Sequence, residues 1–412
     1  MGIFDTTQAK RRTGPRGKYD QLLLIGLVGL ACVGVVMVAS SSIAVAASEH
    51  IGEFYFLKKH LLFLALGLVA AGVAMRTELR LLEKFAFPLL ALAFLLLLAV
   101  FVPHFGMRIN GAHRWLNLGI TSFQPVEAVK LVLVVYMASY LVRHRESIET
   151  RFLGLIKPLL VAGVIVLMLL AQPDFGSAML VIAVTIAMVW LGGARPLFLF
   201  LMGLPLMPAL VIAATSESYR MKRLTTFLHP WDHPFDDGFQ LTQSLMAVGR
   251  GEWTGVGLGS SVLKLSYLPE AHTDFIFAVI GEELGLVGIL AVMAMFALVV
   301  GRGLYLGLKG VEVNQRFAGY VAFGISLMIG LQALVSIGVN LGALPTKGLT
   351  LPLISYGGSS MALTCAMAGV LLRATWEINR AIDARQGAHR VAVAAVAAGE
   401  AETSGVPEAE AA

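Results

Sequence analysis

Asp274 is the residue in this sequence best placed to do acid–base chemistry. It stands in Leu268-Pro-Glu-Ala-His-Thr-Asp-Phe-Ile-Phe277, where a polar loop runs into an apolar stretch. A carboxylate at such a boundary is partly desolvated, and desolvation raises its proton affinity. A general base needs that tuning together with access to its substrate. The blander reading is an acid that merely favours the positive end of a helix dipole, and residue type alone does not separate the two. His272, two residues earlier, is a candidate substrate contact. Glu282 and Glu283 follow two turns later and read best as a structural pair inside a helix bundle.

Cations that could hold a phosphate form a second set. The uncharged run Leu131 to Val142 is too short to cross a membrane, so its helix must take in Glu127 and Lys130 as well. At i and i+3 these two share a helical face and can pair. They are either a structural ion pair near a helix end or a cation helping to hold a lipid phosphate. Arg220, Lys222 and Arg223 open the longest polar loop. They could clamp a diphosphate, arginine through bidentate bonds, or simply meet anionic lipid headgroups. Arg114, in Asn110-Gly-Ala-His-Arg-Trp-Leu-Asn-Leu-Gly119, and Lys347, in Leu344-Pro-Thr-Lys-Gly348, complete the candidates. Trp115 beside Arg114 also suits an interfacial belt. There is no Walker-type phosphate loop and no Asp-x-Asp pair of the kind that holds a metal-bound nucleotide sugar. If a sugar is transferred, its donor is expected to be lipid-linked. Cys32 and Cys365 each lie in an apolar run and read as small buried hydrophobes.

The elements that must position these residues are membrane helices. Of the 412 residues, 57% are hydrophobic and 14% charged, against about 45–50% and about 25% in a soluble domain. Phe85–Val102, Phe175–Ala194 and Pro196–Ala214 carry no charge, and about 20 apolar residues cross a bilayer. The pattern predicts an all-α polytopic membrane bundle of about ten transmembrane helices, near 21–46, 57–75, 85–102, 124–142, 157–172, 175–193, 196–214, 275–300, 317–341 and 355–375. Pro173-Asp174 splits a stretch too long for one crossing and predicts a tight turn. Gln21–Ala47 is longer than a signal-peptide core and is read as a retained first helix. The formal charge of +5 does not signal nucleic acid, because the basic residues are spread over loops. They concentrate on one side: Arg76, Arg80, Lys84, Arg143 and Arg145 are among many there, against Lys58, Lys59, Arg108, Arg114 and Lys347 on the other. The positive-inside rule then places both termini in the cytoplasm. It also places a loop at about 215–273 outside, within which Gln240–Val248 has the spacing of a short helix lying on the membrane surface. A cytoplasmic tail at 1–20, a membrane domain at 21–380 and a disordered cytoplasmic tail at 381–412, rich in Ala, Glu and Gly, complete the layout.

Taken together the motifs resemble the SEDS family (shape, elongation, division and sporulation proteins). The resemblance rests on Asn110–Gly119 with Phe123-Gln-Pro-Val-Glu-Ala-Val-Lys130, on Ala171-Gln-Pro-Asp-Phe-Gly176, on Tyr267–Phe275 with Gly281-Glu-Glu-Leu-Gly285, and on Leu344–Ser360. Tyr219-Arg-Met-Lys-Arg223, Asp237–Ala247, Glu270-Ala-His272 and Leu349-Thr-Leu-Pro-Leu353 look like the FtsW-type branch rather than the RodA-type. Ser218 departs from the proline usual there. The resemblance implies a peptidoglycan glycosyltransferase that polymerises lipid II, the undecaprenyl-diphosphate disaccharide-pentapeptide, at the division septum. The family's essential acid falls on Asp274. The implied partners are a class B penicillin-binding protein, other divisome membrane proteins and the bilayer, with no nucleic acid. No cofactor is firmly implied; a divalent cation, Mg or Mn, is a candidate to assist the cations at the diphosphate. A lipid II flippase and a non-catalytic divisome scaffold are the competing classes. The candidate residues cluster on the outer side, whereas a flippase needs a path to both faces.

Overall fold

The computed structural model describes residues 17–403 apart from 49, 110–111, 118, 120–121, 216–217, 233, 237, 265–267 and 347. It is a helical membrane bundle. Each expected span has a helix: α1 (Gln21–Ser48), α2 (Tyr55–Arg76), α4 (Ala86–Ala99), α5 (Pro125–Arg143), α7 (Leu153–Ala171), α8 (Phe175–Leu191), α9 (Pro196–Thr215), α12 (Ile276–Glu312), α13 (Arg316–Asn340) and α14 (Gly358–Thr403). Short helices α3 (Leu79–Lys84), α6 (Arg145–Thr150), α10 (Ser218–Leu228) and α11 (Phe239–Arg250) complete the helical set. Among the described residues seven helices are long and apolar enough to cross a membrane, and Ala86–Ala99 and Phe175–Leu191 are shorter apolar helices.

Local chemistry sets the helix ends. Pro125 opens α5, where its missing N–H costs nothing. The expected turn at Pro173-Asp174 is present. Asp174 caps α8 by accepting from the Ser177 N–H at 3.2 Å. α12 is two helices in one: Gly285, at φ +64° and ψ −162°, breaks it. Only glycine adopts that backbone without severe strain. The break receives the segment after α11, through Val256 N–H to Glu282 O at 2.9 Å and Leu286 N–H to Glu252 O at 2.9 Å.

The bundle is organised around α5 and α13, whose faces are buried almost throughout. α13 packs on α12, α5, α14 and α8; α14 lies along α2, and α1 along α12. Leucines and phenylalanines on the outside, such as Leu66, Phe87, Leu153 and Phe200, are exposed. That is the arrangement for a lipid solvent, in which only the helix interior of the bundle must be protein.

Three features differ from the sequence reading. The polar segment between α4 and α5 forms a three-stranded antiparallel sheet, β1 (Gly106–Ile109), β2 (Ala112–Asn117) and β3 (Ser122–Phe123), in the order β1-β2-β3. Strand pairing satisfies backbone groups that a loop would leave to water. The helix read as lying on the membrane surface, α11, instead packs on α12 and α13. It buries Leu241, Thr242, Gln243, Ser244 and Ala247, because its inner face is small and polar enough to hydrogen-bond there. The segment after 381, read as disordered, continues as helix to Thr403. It is rich in alanine, the strongest helix former.

Candidate functional site

Asp274 closes a tight turn immediately before α12. The turn starts at Glu270, which has a left-handed φ of +58°. The Thr273 and Phe275 N–H groups both return to the Glu270 carbonyl at 3.1 Å. The Thr273 hydroxyl donates to the Glu270 carboxylate at 2.6 Å. The segment after α13 covers the other side of Asp274. At Gly348 a β-carbon would stand 3.0 Å from Asp274 Oδ2. A side chain there would crowd the carboxylate, so glycine is what lets the loop approach this closely.

Two arginines reach the same place from distant parts of the chain. Arg114, on β2, is half-buried and anchored by Nε to the Gln172 carbonyl at 3.1 Å and by its terminal nitrogen to the Pro173 carbonyl. That turn is itself held, since Gln172 is buried and donates to the Leu97 carbonyl at 3.1 Å. Arg223, on α10, is exposed and donates to the Thr346 carbonyl at 3.2 Å. Both guanidiniums stabilise the ionised Asp274 carboxylate, but burial of the group outweighs them. Burial, helped by the Glu270 charge, pushes the Asp274 carboxyl up to about 7. The result is a carboxyl that exchanges its proton near neutral pH, next to two fixed positive charges.

The remaining predicted residues divide. Lys222 is exposed on α10 beside Arg223. Arg220 lies on the same helix, with its side chain outside the described residues, and Lys347 lies outside them altogether. His272 is buried, with its ring 4.7 Å from Phe56 and 5.4 Å from Tyr356, and its carbonyl accepts from the Tyr356 N–H at 2.9 Å. In this structure it packs the turn rather than facing a ligand.

Glu127 and Lys130 stand inside the bundle and pair with each other, the ion-pair arrangement that their spacing allowed. Lys130 is fully buried and donates to Glu127 at 2.8 Å and to Gln332 at 2.9 Å. A desolvated ammonium requires such partners, and these direct it into the bundle rather than toward a phosphate. Its effect on the site is indirect: Gln332 donates to the Thr350 carbonyl at 2.9 Å, in the segment that carries Gly348.

Several residues of this neighbourhood were not singled out by sequence. Glu270 was noted only as part of a motif, and Gln332 and Asn340 were not noted. The only trace of the last two is an uncharged polar residue inside an apolar run. A second buried cluster joins Glu283 to Lys264 at 2.7 Å and to Ser40 at 2.7 Å. Glu282 accepts from the Val262 N–H at 3.0 Å and from the Ser261 hydroxyl. The acid pair is structural as expected, and it ties the outer segment to the break in α12. Among the described residues no three His, Cys, Asp or Glu side chains converge as a metal would need.

Comparison with known proteins gives concordant similarities. A family model described as "Cell cycle protein", covering FtsW, RodA and SpoVE, matches residues 20–380. A probable peptidoglycan glycosyltransferase FtsW from Xanthomonas oryzae pv. oryzae is 54% identical over 374 residues, 91% of this chain and 76% of the relative. Its counterpart in Thioalkalivibrio sulfidiphilus is 46% identical over 356 residues, 86% of this chain and 89% of the relative. Among solved structures, a chain from a peptidoglycan synthase complex, studied for its coordination of polymerization and crosslinking, superposes with a TM-score of 0.71. The two are 28% identical, covering 87% of this chain and 98% of the other. The crystal structure of the rod shape determining protein RodA of Thermus thermophilus superposes with a TM-score of 0.63, at 28% identity, covering 87% and 96%.

Proposed function

Because this chain belongs to the FtsW, RodA and SpoVE family of cell cycle proteins (the SEDS family), on its FtsW-type branch, we propose that it polymerises lipid II into glycan strands with Asp274 as the general base. The observation that carries this is the carboxyl of Asp274, closely covered by Gly348, raised to about 7 by burial and acted on by the charges of Arg114 and Arg223.

The reaction joins the 4-hydroxyl of an acceptor sugar to the anomeric carbon of a lipid-diphosphate-linked donor. Asp274 takes the hydroxyl proton as the oxygen forms its bond to that carbon. The carbon–oxygen bond to the diphosphate breaks, and the diphosphate leaves with the electron pair. The step is a single inverting displacement, which converts an α-linked donor into a β-linked strand. A base with a proton affinity near the working pH is efficient, because it is ionised and still basic. The leaving diphosphate gathers charge as the bond breaks, and Arg114 and Arg223 supply fixed charge there, with Arg220 and Lys222 on the same helix as Arg223.

The positive-inside distribution places the connections that build this site on the outer face, with both termini cytoplasmic. Lipid II presented in the outer leaflet would then reach Asp274 from the side. By analogy with relatives, the protein works at the division septum beside a class B penicillin-binding protein that crosslinks the peptides. The deciding experiment is strand polymerisation by purified protein supplied with lipid II, comparing wild type with Asp274→Asn. Loss of polymer with folding retained supports the reading. A near wild-type rate would overturn Asp274 as the base, and absence of polymer from the wild type as well would favour a flippase or a scaffold.

A further inference from the structure

The turn that carries Asp274 is held by a side chain from another helix. Phe275 occupies the N-cap of α12 and makes no side-chain cap, so the first-turn N–H groups require acceptors from elsewhere. Asn340, the last residue of α13, is fully buried and supplies one. Its Oδ1 accepts from the Ala278 N–H at 3.0 Å. Its Nδ2 donates to the Asp274 carbonyl at 2.9 Å and to the Ser336 carbonyl at 2.8 Å. The network fixes the orientation of the amide. Reversed, it would aim its NH2 at an N–H and its oxygen at two carbonyls. The backbone of Asn340 is pinned as well, since its carbonyl accepts from the Ser244 hydroxyl of α11 at 2.8 Å. From Asn340 the chain continues into the segment holding Thr346, the acceptor of Arg223, and Gly348, which abuts the Asp274 carboxylate.

We propose that Asn340 is a positioning residue of the glycosyl-transfer site, fixing the backbone of Asp274 so that its carboxylate stays aimed between Gly348 and the guanidiniums of Arg114 and Arg223. The inference rests on the reading of Asp274 as the base. No other side chain offers the same set at this reach: aspartate accepts but does not donate, and an apolar residue does neither. Among the described residues, the charged groups acting on Asp274 are Glu270 on its own turn, Arg223 from α10 and Arg114 from β2. They determine the polarity of the site, and Asn340 determines where in that field the carboxylate stands. A misplacement of about 1 Å at a reacting group can cost about 10²-fold in rate.

The test is lipid II polymerisation by purified Asn340→Ala and Asn340→Asp, with kcat and KM measured from pH 5 to 9, alongside Asp274→Asn. Asn340→Asp keeps an acceptor for the Ala278 N–H but has no donor for the Asp274 carbonyl. It therefore separates helix capping from positioning and serves if Asn340→Ala fails to fold. Both variants should lose about 10²-fold in kcat with KM within about twofold of wild type. In Asn340→Ala the acidic limb of the pH–rate profile should also move to lower pH, because a released carboxylate turns toward water. A purely structural role would lower the amplitude without moving that midpoint, and would overturn the proposal. So would a wild-type rate for Asn340→Asp. If the Asn340 variants behave as wild type while Asp274→Asn is inactive, the positioning proposal alone falls. If Asp274→Asn is active, the base assignment falls and takes this proposal with it.

Discussion

At the residue scale the argument turns on one carboxyl group. Asp274 is costly to ionise where it stands, and its raised proton affinity has two consequences of definite sign. For activity, the base works only when deprotonated, so kcat should rise with pH through about 7. Asp274→Asn keeps size and hydrogen bonding but removes basicity, and should lower polymerisation by about 10²–10⁴-fold, read from a gel of strand products. For stability, the folded state holds the Asp274 proton up to about pH 7, whereas the unfolded chain releases it near the ordinary carboxylate value. Stability therefore falls as pH rises between those two values. Asp274→Asn should raise the Tm measured at pH 8 and change it little at pH 4. A variant that is both inactive and more stable is the signature of a site that holds a desolvated charge for function. Arg223→Ala should weaken lipid II use, with more substrate partly restoring the rate, because it removes binding to the diphosphate along with help to the leaving group. Glu149→Ala, in an exposed pair with Arg145 on α6, should leave the rate unchanged.

At the element scale two buried ion pairs among the described residues do different work. Lys130, Glu127 and Gln332 join α5 to α13 and, through Thr350, to the segment over Asp274. Removing one partner leaves a buried charge without its counterion, so Lys130→Ala should destabilise by about 3–5 kcal/mol. The double variant Glu127→Gln with Lys130→Met should recover most of that Tm loss. If the single variant is as stable as the double, the pair is not the support described. The other pair, Glu283 with Lys264, anchors the outer segment at the break in α12. That break depends on Gly285. Its backbone is in a region open to glycine, and a β-carbon would stand 2.4 Å from the Gly255 nitrogen. Gly285→Ala should cost about 1–3 kcal/mol from backbone strain alone. It should also free the segment from 252 to 264, seen as faster proteolytic cleavage there with the helices intact.

At the scale of the whole molecule the question is which face the site occupies. Asp274, Arg114, Arg223 and Gly348 come from three separate connections, and their convergence requires those connections to share one end of the bundle. The basic-residue asymmetry predicts that this end lies outside. In a variant lacking Cys32 and Cys365, a cysteine at Asp236 should be labelled from outside by a membrane-impermeant reagent, and one at Glu149 should not. The reverse result would place the site in the cytoplasm and remove access to outer-leaflet substrate. The purified protein should also polymerise slowly alone and faster with its class B penicillin-binding protein. Equal rates would argue against activation by the partner.

The sequence by itself determined the membrane class, the ten helices and the place of the candidate base. Each of these is written locally, as run length, as charge interrupting an apolar stretch, and as a motif within about ten residues. Asp274 was legible because an acid where a polar loop enters an apolar span is partly desolvated, which raises its proton affinity. Arg114 and Arg223 were legible as cations but not as its neighbours, because 160 and 51 positions separate them from it and only the fold sets that distance. Lys130 was legible as a partner of Glu127 from their spacing, but its second partner, Gln332, lies on another helix and was not. Asn340 carried almost no signal, since an uncharged amide in an apolar run gains its meaning from three partners, on α12, on α13 and on the turn that carries Asp274. The tertiary structure decided which polar groups meet, because in a low-dielectric interior every buried donor, acceptor and charge must find a counterpart, and that counterpart is rarely near in sequence.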